Sequence, residues 1–263
     1  MCIFAYGQTG SGKTFTIQGD DEHPGLVPRG IVKLFSTLSE MPNFAIELNC
    51  TLVEIYLNEL RDLLLKAGEK NPGELDVKED RTGRVVISNV TTRRIESVER
   101  MEEVFEEGLK HRKTRKTSMN NASSRSHLIF TIEIKCTCTN LVDAPTTIGK
   151  LSFIDLAGSE KSSKTEITDE VGKKEAISIN QSLSSLGNVI HALSIGSKHI
   201  PYKDSILTRV MKDSLGGTAK TLMFVNCSPS VYNTAETKNS LRYAESAKKV
   251  TNKVSKGVET KEI

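Results

Sequence analysis

The sequence has no tryptophan, and aromatic residues make up only 5% of its 263 positions. That is poor material for a nucleic-acid binder, in which basic patches alternate with stacking rings. No window approaches the ~18 apolar residues of a membrane span. The opening MCIFAYGQTG has neither a basic lead nor a long apolar stretch, so it does not read as a signal peptide. The five cysteines, Cys2, Cys50, Cys136, Cys138 and Cys227, are odd in number and scattered. Without Cys-x-x-Cys spacing they do not outline a zinc site, and they read as reduced thiols of a cytosolic protein. The five histidines show no ligand clustering, and no Asn-Lys-x-Asp segment, the base reader of a GTPase, is present. Internal repeats and low-complexity tracts are absent too.

What remains is the composition of a soluble globular domain, 37% apolar and 26% charged with a net charge of +3. The charge is clustered. Lys110, Arg112, Lys113, Arg115 and Lys116 form one run and Lys248, Lys249, Lys253 and Lys256 another; each run by itself reads as a solvated helix face.

Periodicity predicts strands at Cys2–Tyr6, Phe44–Tyr56, Leu128–Thr139, Leu151–Asp155 and Thr221–Cys227. Helices are expected at about Pro28–Met41, Val98–Lys116, Lys174–Ser197, Asp204–Leu215 and Ala235–Val250. In the third of these, Ala176, Ile179, Leu183, Leu186, Ile190 and Leu193 form one apolar stripe. Residues 66–74 and 80–84 read as loops. Strands alternating with helices imply an α/β layered domain.

Three segments carry chemistry. Gly7-Gln8-Thr9-Gly10-Ser11-Gly12-Lys13-Thr14 matches G-x-x-x-x-G-K-T in full, after an apolar strand and before a helix-compatible segment. Its glycines let the backbone wrap so that several N–H groups face one phosphate. Lys13 reaches the outer phosphates and the Thr14 hydroxyl suits magnesium. Second, Asp155 closes the apolar run 151–154 and is followed by Leu156-Ala157-Gly158-Ser159-Glu160. Asp155 can hold magnesium through water, and Gly158, lacking a side chain, can bring its N–H to a terminal phosphate. Third, Asn120-Asn121-Ala122-Ser123-Ser124-Arg125-Ser126-His127 is a polar loop before a strand, suited to cover phosphate and metal.

These elements in this order resemble the kinesin motor domain. Phe4-Ala5-Tyr6 with residues 7–14 resembles its P-loop, Ser123–His127 (SSRSH) its switch I and Asp155–Glu160 (DLAGSE) its switch II. His199–Asp204, Asp213–Gly217 and Ser240-Leu-Arg-Tyr-Ala244 match as well, so the likeness covers essentially the whole chain. Lys220–Pro229 and the tail 255–263 are similar to C-terminal-motor kinesins, particularly the kinesin-like calmodulin-binding proteins.

The resemblance implies a three-layer P-loop NTPase fold with a central mixed sheet and helices on both faces. The motor domain would occupy 1–250, and 251–263 would begin a neck-like extension. It implies an ATPase that uses ATP and Mg2+, moves along microtubules, and is found in the cytoplasm on the cytoskeleton. Neither nucleic acid nor membrane is an expected partner. The catalytic residues implied are Ser124, Arg125, Gly158 and Glu160, with an Arg125–Glu160 salt bridge closing around the attacking water. Thr14, Ser124 and Asp155 would face the metal, and Arg112 would lie below switch I. The helix around Ala176–Leu193 would lie against tubulin. Contacts to the acidic microtubule would come from Lys78, Arg81 and Arg84 in one loop and from Lys203, Arg209 and Lys212 around a second. Lys161 and Lys164 would add to these.

There are departures from the family pattern. The family's first strands and helix, with an adenine-packing Arg-x-Arg-Pro segment, are expected to be missing ahead of Cys2, which would leave a sheet edge unpaired. The 162–174 loop lacks Gly-x-x-Gly, and Gln181 and Ile206 replace frequent lysines. A calmodulin-type regulator would act only through a segment absent here. The alternative to a working motor is a truncated or degenerate kinesin that holds microtubules without productive turnover.

Overall fold

The computed structural model describes residues 1–66, 68–114, 124–140, 144–160 and 170–252. Its centre is a seven-stranded mixed sheet. In chain order the strands are β1 (Cys2–Tyr6), β2 (Phe44–Tyr56), β3 (Glu59–Asp62), β4 (Asp76–Glu79), β5 (Val85–Ser88), β6 (Arg93–Ile95), β7 (His127–Cys138), β8 (Thr146–Asp155) and β9 (Thr221–Val225). The sheet order is β3-β2-β7-β8-β1-β9, with β6 also pairing β2, while β4 and β5 form a separate hairpin. β1 runs parallel to both β8 and β9, and β7 is antiparallel to β2 and β8.

Alternation along the strands divides the core into two layers, because successive side chains point to opposite faces. Ala5, Leu52, Phe130 and Phe153 face α2 (Leu26–Ser39) and α3 (Val98–Thr114), where Val27, Ile31, Met101, Val104 and Phe105 complete one cluster. Phe4, Tyr6, Val53, Ile129 and Ile154 face the other way. They meet Leu183, Leu186, Val189 and Ile190 of α4 (Glu170–Ser194), with Leu207 and Val210 of α5 (Ile206–Val210) and Leu215 of α6 (Lys212–Leu215). The last helix, α7 (Thr234–Lys248), packs beside α4 and β9 on this face. The expected three-layer arrangement is therefore present.

One expectation needs correction. The helix foreseen over Asp204–Leu215 is broken. Ser205 and Thr208 form a capping box that starts α5, and Met211 leaves the helical range at ψ 2° before α6 begins. The helix after the glycine-rich loop, α1, spans only Lys13–Ile17. An anion at that loop would depend on local backbone N–H groups more than on a long helix dipole.

Arg112 is the exception to the reading of its basic run as a solvated face, since Lys110 and Lys113 are exposed as expected and Arg115 and Lys116 lie outside the described residues. The Arg112 side chain is 4% exposed, and its Nε donates to Glu54 Oε1 at 3.1 Å. Its Nη2 donates to Ser126 O and Oγ at 3.2 and 3.0 Å. Burying a charge is tolerable only when it is paired and hydrogen-bonded, and this one is both.

His127, the first residue of β7, ties the sheet to the elements around it. Its Nδ1 accepts the Ala157 N–H at 3.0 Å, so Nε2 carries the proton and donates to Ser182 Oγ at 2.8 Å. Ser182 in turn donates to Ile179 O at 2.8 Å. Burial, with Arg112 and Lys13 adding, pushes the imidazole pKa down to about 3. Unfolding frees His127 to bind a proton below its ordinary pKa near 6.5. Its contribution to stability is therefore complete above that value and is lost as pH falls from about 6.5 toward 3. Urea unfolding of His127→Gln across this window should show a shallower acid loss than the wild-type chain. Parallel pH profiles would contradict the assignment.

Candidate functional site

The parallel pairing of β1 with β8 puts Ala5 opposite Asp155, so both strands end at the same rim of the sheet. Such C-terminal rims are where α/β proteins place ligands. The loop after β1 contains Gly10 and Gly12 at φ 76° and 97°, a left-handed conformation that glycine adopts without strain. A side chain at Gly7 would run into the Asn226 carbonyl and the Ser11 hydroxyl. The loop is thus closed on itself, with Ser11 Oγ and Lys13 Nζ each donating to Gln8 O at 2.8 Å.

Lys13 is 6% exposed, and desolvation lowers its pKa, against the pull of Asp155 and Glu160. No carboxylate lies within ion-pair distance of it among the described residues, so this buried ammonium lacks a full counter-charge. Asp155 is 1% exposed. Its Oδ2 accepts the Thr14 hydroxyl at 2.7 Å and a long contact from Gln18 Nε2 at 3.5 Å, and Arg112 Nη1 stands 3.9 Å away. Its Oδ1 has no hydrogen-bond partner among the described residues. Burial raises the Asp155 pKa, opposed by Arg112, Thr14 and Lys13. An unpartnered buried carboxylate oxygen beside a threonine hydroxyl fits the coordination sphere of a hydrated Mg2+, a cation that keeps most of its waters and takes few protein ligands.

The segment after β8 bends back over this loop. Gly158 N–H donates to Ser124 O at 3.0 Å, and Ser159 N–H donates to Gly7 O at 3.1 Å. A side chain at Gly158 would collide with the Thr9 hydroxyl and the Glu160 carboxylate. Glu160 accepts the Thr9 N–H at 2.7 Å and the Thr9 hydroxyl at 2.5 Å.

The structure thus brings together Thr9, Lys13, Thr14, Asp155, Gly158 and Glu160, and joins Ser124 to Gly158 through the backbone. It does not form the expected Arg125–Glu160 bridge. Arg125 Nη1 pairs instead with Glu175 of α4, whose other oxygen accepts the Tyr56 hydroxyl at 2.6 Å. Glu160 is engaged by Thr9, so the two expected partners are held apart. Sequence reading missed Glu175, yet a signal existed. It lies four residues before Ile179 and eight before Leu183, so it is an acid set into the apolar stripe of α4. Asn226, whose Nδ2 donates to Thr16 Oγ1 at 2.9 Å, and Gln18 were also missed.

The proposed filament contacts need revision. Lys78 lies on strand β4 rather than in a loop. Arg84 pairs with Asp80 at 2.7 Å, Arg209 with Asp76 at 2.9 Å and Lys212 with Glu79 at 2.6 Å. The last two pairs fasten the β4–β5 hairpin to α5 and α6, so these cations are partly neutralised within the fold. Lys203 lies in the 3₁₀ turn Tyr202–Asp204 and Arg81 in the β4–β5 turn; both are exposed. Lys161, Lys164 and the start of the 120–127 loop lie outside the described residues.

The family pattern described as the kinesin motor domain matches residues 1–250. Kinesin-like protein KIN-14E of Arabidopsis thaliana is 47% identical over 264 residues, covering all of this chain and 21% of that protein. Kinesin heavy chain isoform 5A of Homo sapiens is 44% identical over 262 residues, covering 98% of this chain and 25% of that protein. The chain therefore spans about a fifth to a quarter of the length of these relatives. Among solved structures, one of a fast kinesin superimposes with a TM-score of 0.86 at 40% identity, over 98% of this chain and 72% of the other. Another, a KIF14 dimer in a two-heads-bound state with AMP-PNP in complex with a microtubule, gives a TM-score of 0.86 at 37% identity, over 96% and 73%. With the loop, the strand-end acid and the central sheet all in place, this chain belongs to the kinesin motor-domain family.

Proposed function

We propose that the chain is an ATP-dependent microtubule motor that couples ATP hydrolysis to movement along the filament. One observation carries the reading: the Thr14 hydroxyl seated on Asp155 Oδ2 while, among the described residues, Asp155 Oδ1 has no hydrogen-bond partner and the buried Lys13 no ion-pair partner. That is a site built for a polyphosphate and its cation. Residues 7–14 would hold the phosphates, with the loop N–H groups and Lys13 supplying donors and charge. Thr14 and Asp155, with Ser124 in the covering loop, would hold the metal, which on binding neutralises phosphate charge. Gly158 offers its N–H to a terminal phosphate once it leaves Ser124 O. Arg125 and Glu160 would act on the attacking water. The family's filament partner is acidic tubulin, and we assign contacts to the exposed Lys203 and Arg81 and to whatever charge Arg84, Arg209 and Lys212 keep outside their internal pairs.

Steady-state ATPase with and without microtubules tests the reading. The expected outcome is turnover that rises on adding microtubules, and a loss on the order of a hundredfold or more in Lys13→Ala, because it removes the cation facing the outer phosphates. Unchanged turnover in that variant would sink the site assignment.

The two carboxylates around Arg125 give a sharper test. If Arg125 closes onto Glu160 during hydrolysis, Arg125→Ala and Glu160→Ala should each bind ATP but turn over slowly. The double variant should then be little worse than either. Glu175→Gln loosens only the alternative anchor, so its turnover should be retained or raised while its melting temperature falls. If Glu175→Gln is instead as slow as Arg125→Ala, and the Arg125 and Glu160 losses add, the working partner is Glu175.

A further inference from the structure

Tyr6 closes β1 immediately before the phosphate loop, and its ring faces the α4/α7 side of the sheet. There it lies flat on Tyr243 of α7, with centroids 4.1 Å apart and planes 9° from parallel. Burial raises the Tyr6 phenol pKa, and the side chain of Ser159, in the loop that also carries Gly158 and Glu160, works against that. The main chain makes the connection, since Ser159 N–H donates to Gly7 O and Asn226 N–H donates to Tyr6 O at 2.8 Å. On its other side Tyr243 reaches α4, where a Cβ at Gly187 would stand 3.3 Å from the Tyr243 ring. Glu236, Ser240 and Tyr243 lie at spacings of four and three on α7, and the first two are 4% and 2% exposed, so this face of α7 turns polar groups inward toward the loop.

One atom in this arrangement is unexplained. Tyr243 Oη is buried and has no hydrogen-bond partner among the described residues. Burial, and the neighbouring Tyr6 phenol, push its pKa up, so it stays a neutral donor. A hydroxyl that served only packing would be better replaced by hydrogen, because burying an unsatisfied donor is unfavourable. Behind α7, Phe4, Ile190, Leu215, Met223, Ala244 and Ala247 line a cavity of about 350 Å³, so the helix has room to shift against α4 and the sheet.

We infer that the stacked Tyr6–Tyr243 pair is a sliding joint that couples the Ser159 segment to α7 and α4, and that Tyr243 Oη gains its partner when that segment moves. In this role both tyrosines are positioning residues. Parallel rings resist separation yet can slide, whereas the main-chain Ser159–Gly7 hydrogen bond beside Tyr6 and the tight Tyr243–Gly187 approach fix the two ends. A displacement of α4 or α7 at a filament is thereby delivered to the residue next to Glu160, and a displacement of Ser159 is delivered outward. The inference rests on the motor reading above.

The test uses Tyr243→Phe and Tyr6→Phe, which keep the stack and remove one hydroxyl each, in the full chain. Tyr243→Phe should melt no lower than wild type and keep basal ATPase within about twofold, but lose roughly tenfold of the microtubule-stimulated rate. Tyr6→Phe should do likewise, and the double variant should be little worse than either. Because the chain has no tryptophan, Tyr243→Trp adds a single reporter, whose emission should differ between ADP and a non-hydrolysed ATP analogue. Stimulation retained in Tyr243→Phe, equal losses of basal and stimulated rates together with a lowered melting temperature, or nucleotide-independent emission would each overturn the joint. A wild-type chain that microtubules do not stimulate would overturn the motor reading instead.

Discussion

A carboxylate at 1% exposure in the middle of a sheet has to be held by its surroundings, and Asp155 sets the terms for everything near it. It sits where it does because β8 pairs in parallel with β1 and places Asp155 opposite Ala5, one residue short of the strand's end. A slip of one residue would turn it to the opposite face, away from Thr14. Burial favours the neutral acid, and the positive charges of Arg112 and Lys13 work against that. With Thr14 on one oxygen and, among the described residues, no hydrogen bond on the other, the group is half satisfied. The remaining half is where a cation's water shell gains most, since it relieves an existing cost instead of adding a new one.

The same constraint explains the buried arginine. Arg112 reaches Asp155 only at 3.9 Å, and its stronger bonds go to Glu54 and Ser126. Ser126 Oγ also donates to Glu54 Oε1 at 2.6 Å, so carboxylate, hydroxyl and guanidinium close a ring between β2, α3 and the start of β7. A buried pair with this many hydrogen bonds fixes geometry even where its net contribution to stability is small. Here it fixes the loop leading into His127. His127 then anchors Ala157 on one side and Ser182 on the other. The segment after β8 is thus gripped at its first residues.

Local chemistry was legible in the sequence. The glycine spacing before Lys13-Thr14 and the acid closing an apolar run both appear where expected, because each depends on backbone conformations that a few adjacent residues decide. The strands β1 and β7 and the end of β8 were legible for the same reason. Charge pairing was not legible. Arg112 lies in a basic run that reads as solvated, and only the packing of α3 against β2 shows that it turns inward to Glu54. Arg125 has 33 acidic residues to choose among, and the choice of Glu175 over Glu160 depends on where α4 begins relative to β7. Arg209 and Lys212 read as free surface charge for the same reason. Their partners, Asp76 and Glu79, lie more than 130 residues away in a hairpin whose docking the sequence does not announce. The break at Met211 is a smaller case. Its apolar period, with Leu207, Val210, Met211 and Leu215 buried, continues through the break and gives no sign of it.

The position of Glu160 carries a thermodynamic consequence. Its carboxylate already occupies the N–H and hydroxyl of Thr9, two donors of the phosphate loop. An anion that takes the Thr9 N–H must displace a like charge from it, and repulsion then drives Glu160 away from the loop. A ligand shifts a conformational equilibrium only by its differential affinity for the two arrangements. An anion short enough to leave Thr9 alone has little such difference, and one long enough to reach Thr9 has a large one. The released carboxylate lies in the loop that holds Ser159 and Gly158, so its departure acts on the segment bonded to Gly7 and Ser124. For a phosphate chain bound at this loop, sensitivity to its length would therefore follow from one carboxylate held on one backbone amide.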